Sequence, residues 1–97
     1  MLFRVHVREG RRILALCDDE VIGKVYREGG RVLDLNRFAG FYGERGREED
    51  ARAELARASS INAVGRRSVA LVIKSGLAKE SDVVFIQGVP HVQVYRL

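Results

Sequence analysis

The sequence predicts an α+β fold, with a mostly antiparallel sheet of about five to six short strands and two main helices packed on one face. Three observations predict it. Residues 2–8 alternate strictly between apolar and polar side chains, as in a strand with one buried side. Ser59–Leu77 is the longest apolar stretch and carries helix-end signals at both ends. The 97 residues suffice for a single domain, 1–97, with one core. Hydrophobic residues at 46% and charged residues at 31% describe a chain that folds, not a disordered one.

In the first strand Phe3, Val5 and Val7 share one face, and Arg4, His6 and Arg8 the other. Glu9-Gly10-Arg11 turns the chain into a second strand, Arg12–Cys17, making an antiparallel hairpin. Asp18 then suits the N-cap of a short helix stopped by Gly23. Lys24–Arg27 and Arg31–Leu35 are strand candidates joined at Glu28-Gly29-Gly30, with Tyr26, Leu33 and Leu35 inward. Asn36–Gly46 reads as a loop anchored by Phe38, Phe41 and Tyr42. Glu48–Ala58 is a surface helix with the narrow stripe Ala51, Leu55 and Ala58, supported by a Glu48–Arg52 pair.

The central helix is expected over Ser59–Leu77, about four turns, with Ser59 or Ser60 as cap and Gly76 at its end. Ile61, Val64, Ser68, Leu71 and Ser75 line one face, and Val69, Val72 and Ile73 widen it into a largely buried helix. Val83–Ile86 reads as a strand buried on both faces. Gln87–Pro90 is a stiff turn with a trans proline favoured over cis. His91–Arg96 closes the sheet, with Val92 and Val94 on one side and His91, Gln93 and Tyr95 on the other.

The net charge is +4, a moderate attraction to polyanions, and all but Lys24, Lys74 and Lys79 of the 17 basic residues are arginine. Arginine offers a planar fork to phosphate or carboxylate and stacks on bases, although surface ion-pair networks and a GC-rich genome favour it as well. No apolar run reaches membrane-spanning length and the N-terminus lacks a signal-peptide core, so no membrane association and a cytoplasmic location are expected. The single Cys17 leaves no internal disulfide and no cysteine-based metal cage. No metal and no cofactor are expected.

The rows Arg4-His6-Arg8 and His91-Gln93-Tyr95 are expected on the sheet face away from the helices, and they merge if their strands are neighbours. Guanidinium groups for phosphates, Gln and His for base edges and Tyr for stacking suit single-stranded RNA. An ordinary solvated outer face accounts for the same pattern. Arg66 and Arg67 fit a phosphate, or ion pairs with Glu48, Glu49 or Glu54. Catalytic candidates are sparse. Cys17 lies beside Asp18, whose charge opposes thiolate formation, and reads as a small buried residue. His6 and His91 lack metal-site spacing. His91, fixed by the stiff turn before it, is either a working imidazole or one hydrogen-bonded to a loop carbonyl.

Four fragments, Cys17-Asp18 with Glu20 and Gly23-Lys24, Phe41-Tyr42-Gly43, Asn62-Ala63-Val64-Gly65 and Gly88-Val89-Pro90-His91-Val92-Gln93, together resemble the archaeal family catalogued as domain of unknown function 424. The resemblance spans nearly the whole chain. Its most specific element is the closing GVPHVQ, similar to the family's GVPHAQ. Val92 stands for the smaller alanine, and Arg37–Gly40 looks like extra sequence before FYG. The resemblance implies an archaeal cytoplasmic protein without an established activity, loosely associated with RNA and translation. It also lends Asn62, Gly65, Pro90 and His91 a shared interest. Asn62 has structural alternatives, capping the central helix or tying the two helices together.

The first functional expectation is therefore a noncatalytic RNA-binding or ribonucleoprotein-associated domain using Arg4, Arg8 and Tyr95, with His91, Gln93, Arg66 and Arg67 as further candidates. The second is a protein-interaction or dimerisation module built on Phe38–Tyr42 and the outer sheet. The third is a small-molecule enzyme, which requires His91, Asp18 and Cys17 to converge in one pocket.

Overall fold

The computed structural model describes residues 1–96. In chain order the elements are β1 (Leu2–Arg8), β2 (Arg11–Cys17), β3 (Val25–Glu28), β4 (Arg31–Asp34), α1 (Ala39–Tyr42), β5 (Glu44–Arg45), α2 (Glu48–Leu55), β6 (Ser60–Val64), α3 (Arg66–Lys74), β7 (Val84–Ile86) and β8 (Val89–Tyr95). A six-stranded sheet has the order β5-β1-β2-β6-β8-β7, and β3 and β4 form a separate two-stranded hairpin. Every neighbouring pair of the large sheet is antiparallel except β2 and β6, whose connection carries α2 across one face.

Strand alternation divides the core in two. Leu14, Leu16, Ile61, Ala63 and Val92 point to the face covered by α2 and α3, where they meet Leu55, Val69 and Val72. Ala15, Cys17, Val64 and Val89 point the other way, into a smaller core with Leu33, Leu35 and Tyr42. Both helices thus share one face, and the β3–β4 hairpin with α1 covers one end of the opposite face. The other end stays open.

Ser59–Leu77 is not one helix. Ser60–Val64 is strand β6, the chain breaks at Gly65, and α3 spans only Arg66–Lys74. A central strand between two others is apolar on both faces, so its residues lack the alternation that distinguishes a strand from a buried helix. Gly65 has φ +102°, and a Cβ there would lie 2.3 Å from Asp18 Cγ, so no other residue fits this break. The predicted end of the helix is correct: the Gly76 N–H donates to Ile73 O at 2.9 Å and the Leu77 N–H to Val72 O at 3.3 Å.

Other expectations change in detail. Asp18–Gly23 forms turns, not a short helix. Val84–Ile86 is an edge strand of the sheet among the described residues, and Phe85 is 57% exposed. Val89 and Pro90 lie within β8, and the peptide before Pro90 is trans. Val7 is on the predicted face but is 63% exposed, since β1 runs past the helical layer there. The expected loop over Asn36–Gly46 holds α1, with Tyr42 buried and Phe38 exposed. Helix α2 ends at Leu55, short of the predicted Ala58, but Ala51, Leu55 and Ala58 are all buried and the Glu48–Arg52 pair forms at 3.3 Å.

Candidate functional site

Strand β1 is separated from β8 by β2 and β6, so the two predicted polar rows do not adjoin. They do share a face. The registers align Arg4, Ala15, Asn62 and Gln93 across the sheet, and beside them His6, Ile13, Ser60 and Tyr95. Asn62 and Ser60 therefore bridge the rows. Arg8 and Arg11 are paired at the hairpin end and exposed on this face. Gln93 is exposed and Tyr95 is 73% exposed, while Arg4 donates from Nη1 to Gly40 O at 3.1 Å and so ties α1 to β1. His6 also holds α1: its ring stacks on Phe41 at 4.6 Å between centroids, and its Nε2–H donates to Phe41 O at 2.7 Å.

Where the covered and open halves of this face meet, a cleft of about 460 Å³ opens between α1, the β3–β4 hairpin and the sheet. Its floor is a hydrogen-bonded trio. Asn62 Oδ1 accepts from Tyr42 Oη–H at 3.0 Å and lies 3.0 Å from His91 Nε2. An amide oxygen cannot donate, so His91 carries its proton on Nε2. Burial pushes the His91 pKa below the ordinary imidazole value, which keeps the ring neutral, and raises the Tyr42 phenol above its usual range. At the rim, Asp34 Oδ1 accepts from the Asn36 and Arg37 N–H groups at 3.1 and 2.8 Å, and the Arg37 guanidinium lies 5.4 Å from the Phe38 ring centroid. Asn62 neither caps α3 nor links the helices. Sequence reasoning passes over Asp34 and Arg37, although an Asp just before a turn is the residue expected to bond to amides two and three positions on.

Cys17, Asp18 and His91 do not converge. Cys17 and Asp18 are absent from the cleft lining. Cys17 is fully buried, and burial followed by the charge of Asp18 pushes its thiol up to about 12. The Asp18 carboxylate is occupied by the start of α3, taking the Arg67 N–H at 2.9 Å, the Ser68 N–H at 2.8 Å and the Ser68 hydroxyl at 2.7 Å. The short helix that Asp18 is expected to cap is absent, and its carboxylate serves instead the first turn of a helix distant in sequence. Pro90 O accepts the Gly65 N–H at 2.9 Å, and the Gly23 N–H donates to Leu35 O at 2.8 Å, beside Lys24 at the root of the β3–β4 hairpin. Gly88 lies in the β7–β8 turn. A Cβ on Gly43 would meet Arg4 Cβ at 2.6 Å, which fixes a glycine where α1 turns back against β1. Arg67 lies 3.7 Å from Glu48, the pairing foreseen across the helices, and Arg66 is exposed. Among the described residues, no group of three or more His, Cys, Asp or Glu is placed to hold a metal.

The family profile described as "Protein of unknown function (DUF424)" matches residues 6–97. The chain belongs to the DUF424 family. It is similar in structure to an uncharacterised conserved protein from Methanopyrus kandleri, with 30% identity and a TM-score of 0.79, covering 99% of this chain and 90% of that one. No curated protein matches it. The DUF424 fragments seen in the sequence gather at one end of the sheet, where Cys17, Val64 and His91 lie side by side on β2, β6 and β8. On the helical side of that end they cap and turn α3. On the other side, Tyr42, Asn62 and His91 floor the cleft.

Several ion pairs of this DUF424 chain gather around α2. The helical side holds Arg12–Glu54 at 2.8 Å, Arg52–Glu48 at 3.3 Å, Arg57–Glu54 at 3.8 Å and the Arg67 pair above. Arg47–Glu49 at 2.7 Å lies at the start of α2. Arg4, Arg8, Arg11 and Arg37 belong to none of the ion pairs found among the described residues, and neither do the exposed Arg66 and Lys74 of α3. Among the described residues, no helix is long and apolar enough to cross a membrane.

Proposed function

We propose that this protein binds single-stranded RNA, without catalysis, on the open half of the sheet face. The observation that carries this reading is the set of exposed polar side chains on one sheet face: Arg8 and Arg11, which belong to none of the ion pairs among the described residues, and Gln93 and Tyr95 on β8 of the same face. Unpaired guanidinium groups track phosphates and an exposed ring stacks a base, each sequence-tolerant on its own.

The test is fluorescence anisotropy with a mixed single-stranded RNA pool across a salt series. Arg8→Ala/Arg11→Ala is the informative charge variant, since Arg4 also holds α1. It should flatten the slope of log affinity against log salt by about 1.4, the effect of losing two single-strand phosphate contacts. Tyr95→Ala should weaken binding roughly tenfold without changing the slope. Absence of RNA binding at low salt overturns the proposal.

A protein-interaction module is the second reading, favoured by the exposed rings of Phe38 on the aromatic loop and Phe85 on an edge strand. Light scattering across a concentration series separates it from the first: a dimer lost in Phe38→Ser or Phe85→Ser, with no RNA binding, supports this alternative.

A further inference from the structure

We infer that the cleft receives one unstacked RNA base that presents a carbonyl beside a ring N–H, as guanine and uracil do, with Asn62 donating to the carbonyl and Asp34 accepting from the N–H. The inference rests on the RNA-binding reading and names what part of the RNA enters this site.

The trio on the floor determines what Asn62 offers. Its Oδ1 is engaged by Tyr42 and His91, so both lone pairs are spent and the side chain meets a ligand only through its N–H₂ group. Asp34 is the complement. One of its oxygens is engaged by two backbone N–H groups, the other has no partner among the described residues, and Asp34 lines the same cleft. The site therefore sets the donor-only Asn62 amide and the acceptor-only Asp34 oxygen in one cleft, with the Arg37 guanidinium as a further donor and the unprotonated Nδ1 of His91 as a further acceptor. Around them stand aromatic walls: Phe41, clamped by His6, and Phe38, with Arg37 beside its ring. A planar ligand stacks there, and its attached phosphate falls to the unpaired arginines. The volume lies within the range of about 300–1,000 Å³ common to small-ligand clefts.

Keto and amino bases differ in the property this site reads. Guanine and uracil carry an acceptor next to a donor, matching Asn62 and Asp34. Adenine and cytosine set an amino group where the carbonyl would be, so that donor faces donor and ring nitrogen faces carboxylate. Unpaired groups in a partly desolvated site make that mismatch costly.

The experiment compares binding of oligouridylate, oligocytidylate and oligoadenylate of equal length at one low salt concentration, using wild type, Asn62→Asp and Asp34→Asn. Both substitutions keep the side-chain shape. The carboxylate introduced at position 62 still accepts from Tyr42 and His91, and the amide oxygen introduced at position 34 still accepts from the turn amides. In parallel, UMP, GMP, CMP and AMP are titrated while the Asn62 side-chain amide is followed by NMR. Wild type should bind oligouridylate about tenfold more tightly than oligocytidylate, and UMP and GMP should shift the Asn62 amide where CMP and AMP do not. Either variant should erase the preference while leaving the salt slope intact. Equal binding of uridylate and cytidylate by wild type, or a preference that survives in both variants, overturns the inference. If RNA binds with a steep salt slope and no preference, the open sheet face stands as an RNA surface and the base site falls. Selective UMP and GMP shifts at Asn62 without any oligonucleotide binding have the opposite meaning: the cleft then reads keto bases, and the RNA-face reading fails.

Discussion

Asp18 caps Ser68 fifty positions away in the chain, accepting both its N–H and its hydroxyl on the same carboxylate oxygen. One side chain at the end of β2 thereby starts a helix that follows β6. Replacing Asp18 with Ala frees two backbone amides and strands a buried hydroxyl, at a cost of about 2–4 kcal/mol in denaturant unfolding. Asp18→Asn, which keeps one acceptor, should lose less than half as much. RNA affinity of the folded fraction should change in neither.

Gly65 is the other half of that arrangement. Gly65→Ala places a Cβ against the Asp18 carboxylate in a backbone conformation that L side chains rarely adopt, and should cost about 2 kcal/mol or more. Because the two residues act on one another, their effects will not add. A double-mutant cycle of Gly65→Ala with Asp18→Gly, which also removes the Asp18 Cβ 2.6 Å from the added methyl, should give a coupling of about 1 kcal/mol or more, and strict additivity would refute the direct contact as the cause.

Cys17 should be silent toward alkylating reagents in the native protein near pH 8 and react at an ordinary rate once urea unfolds the chain. Its folded-state pKa is raised to about 12 from about 9, so the unfolded chain releases the thiol proton first as pH rises. The stability Cys17 contributes is full below pH 9 and is lost between about 9 and 12. Cys17→Ala should flatten thermal stability across that alkaline range relative to wild type.

His91 works in the opposite pH direction. Burial lowers its folded-state pKa, so below the ordinary imidazole value of 6.5 the unfolded chain takes up the proton first. Stability from the neutral ring is full above that pH and is lost as pH falls toward the folded pKa. Thermal unfolding of wild type should weaken between pH 7.5 and 5 more than that of His91→Gln, which retains a donor for Asn62 but does not titrate. An identical acid slope in both proteins would remove His91 as its source.

How much of this is legible in the sequence depends on whether the signal is local. Alternation in Leu2–Arg8 identifies the inward and outward residues of β1, and the glycines at 29 and 30 mark the β3–β4 turn, because the few neighbouring residues contain the reason. Ser60–Val64 reads wrongly as helix because a strand flanked on both sides is apolar all round. The cleft is a different case. Tyr42, Asn62 and His91 each stand within a fragment that carries the family resemblance, but alternation assigns a side chain to a face without revealing which strand comes next. Only the order β1-β2-β6-β8 sets Asn62 between the rows and within reach of both partners. Asp34 and Arg37 enter through the hairpin that folds over the sheet, a placement no periodicity encodes.

The parallel pairing of β2 with β6 carries a consequence for the order of assembly. The β1–β2 hairpin closes over two residues, and β6, α3 and β8 lie within one short stretch, but Ile13 meets Ser60 only after the intervening chain has been looped back. We therefore expect two locally formed halves whose docking along β2 and β6 is the slow event, since the entropy of closing that loop is lost before its contacts form. Stopped-flow refolding can test this: Leu14→Ala on the docking seam should slow folding, Val84→Ala on the β7 edge should chiefly speed unfolding, and the reverse pattern would put the barrier elsewhere.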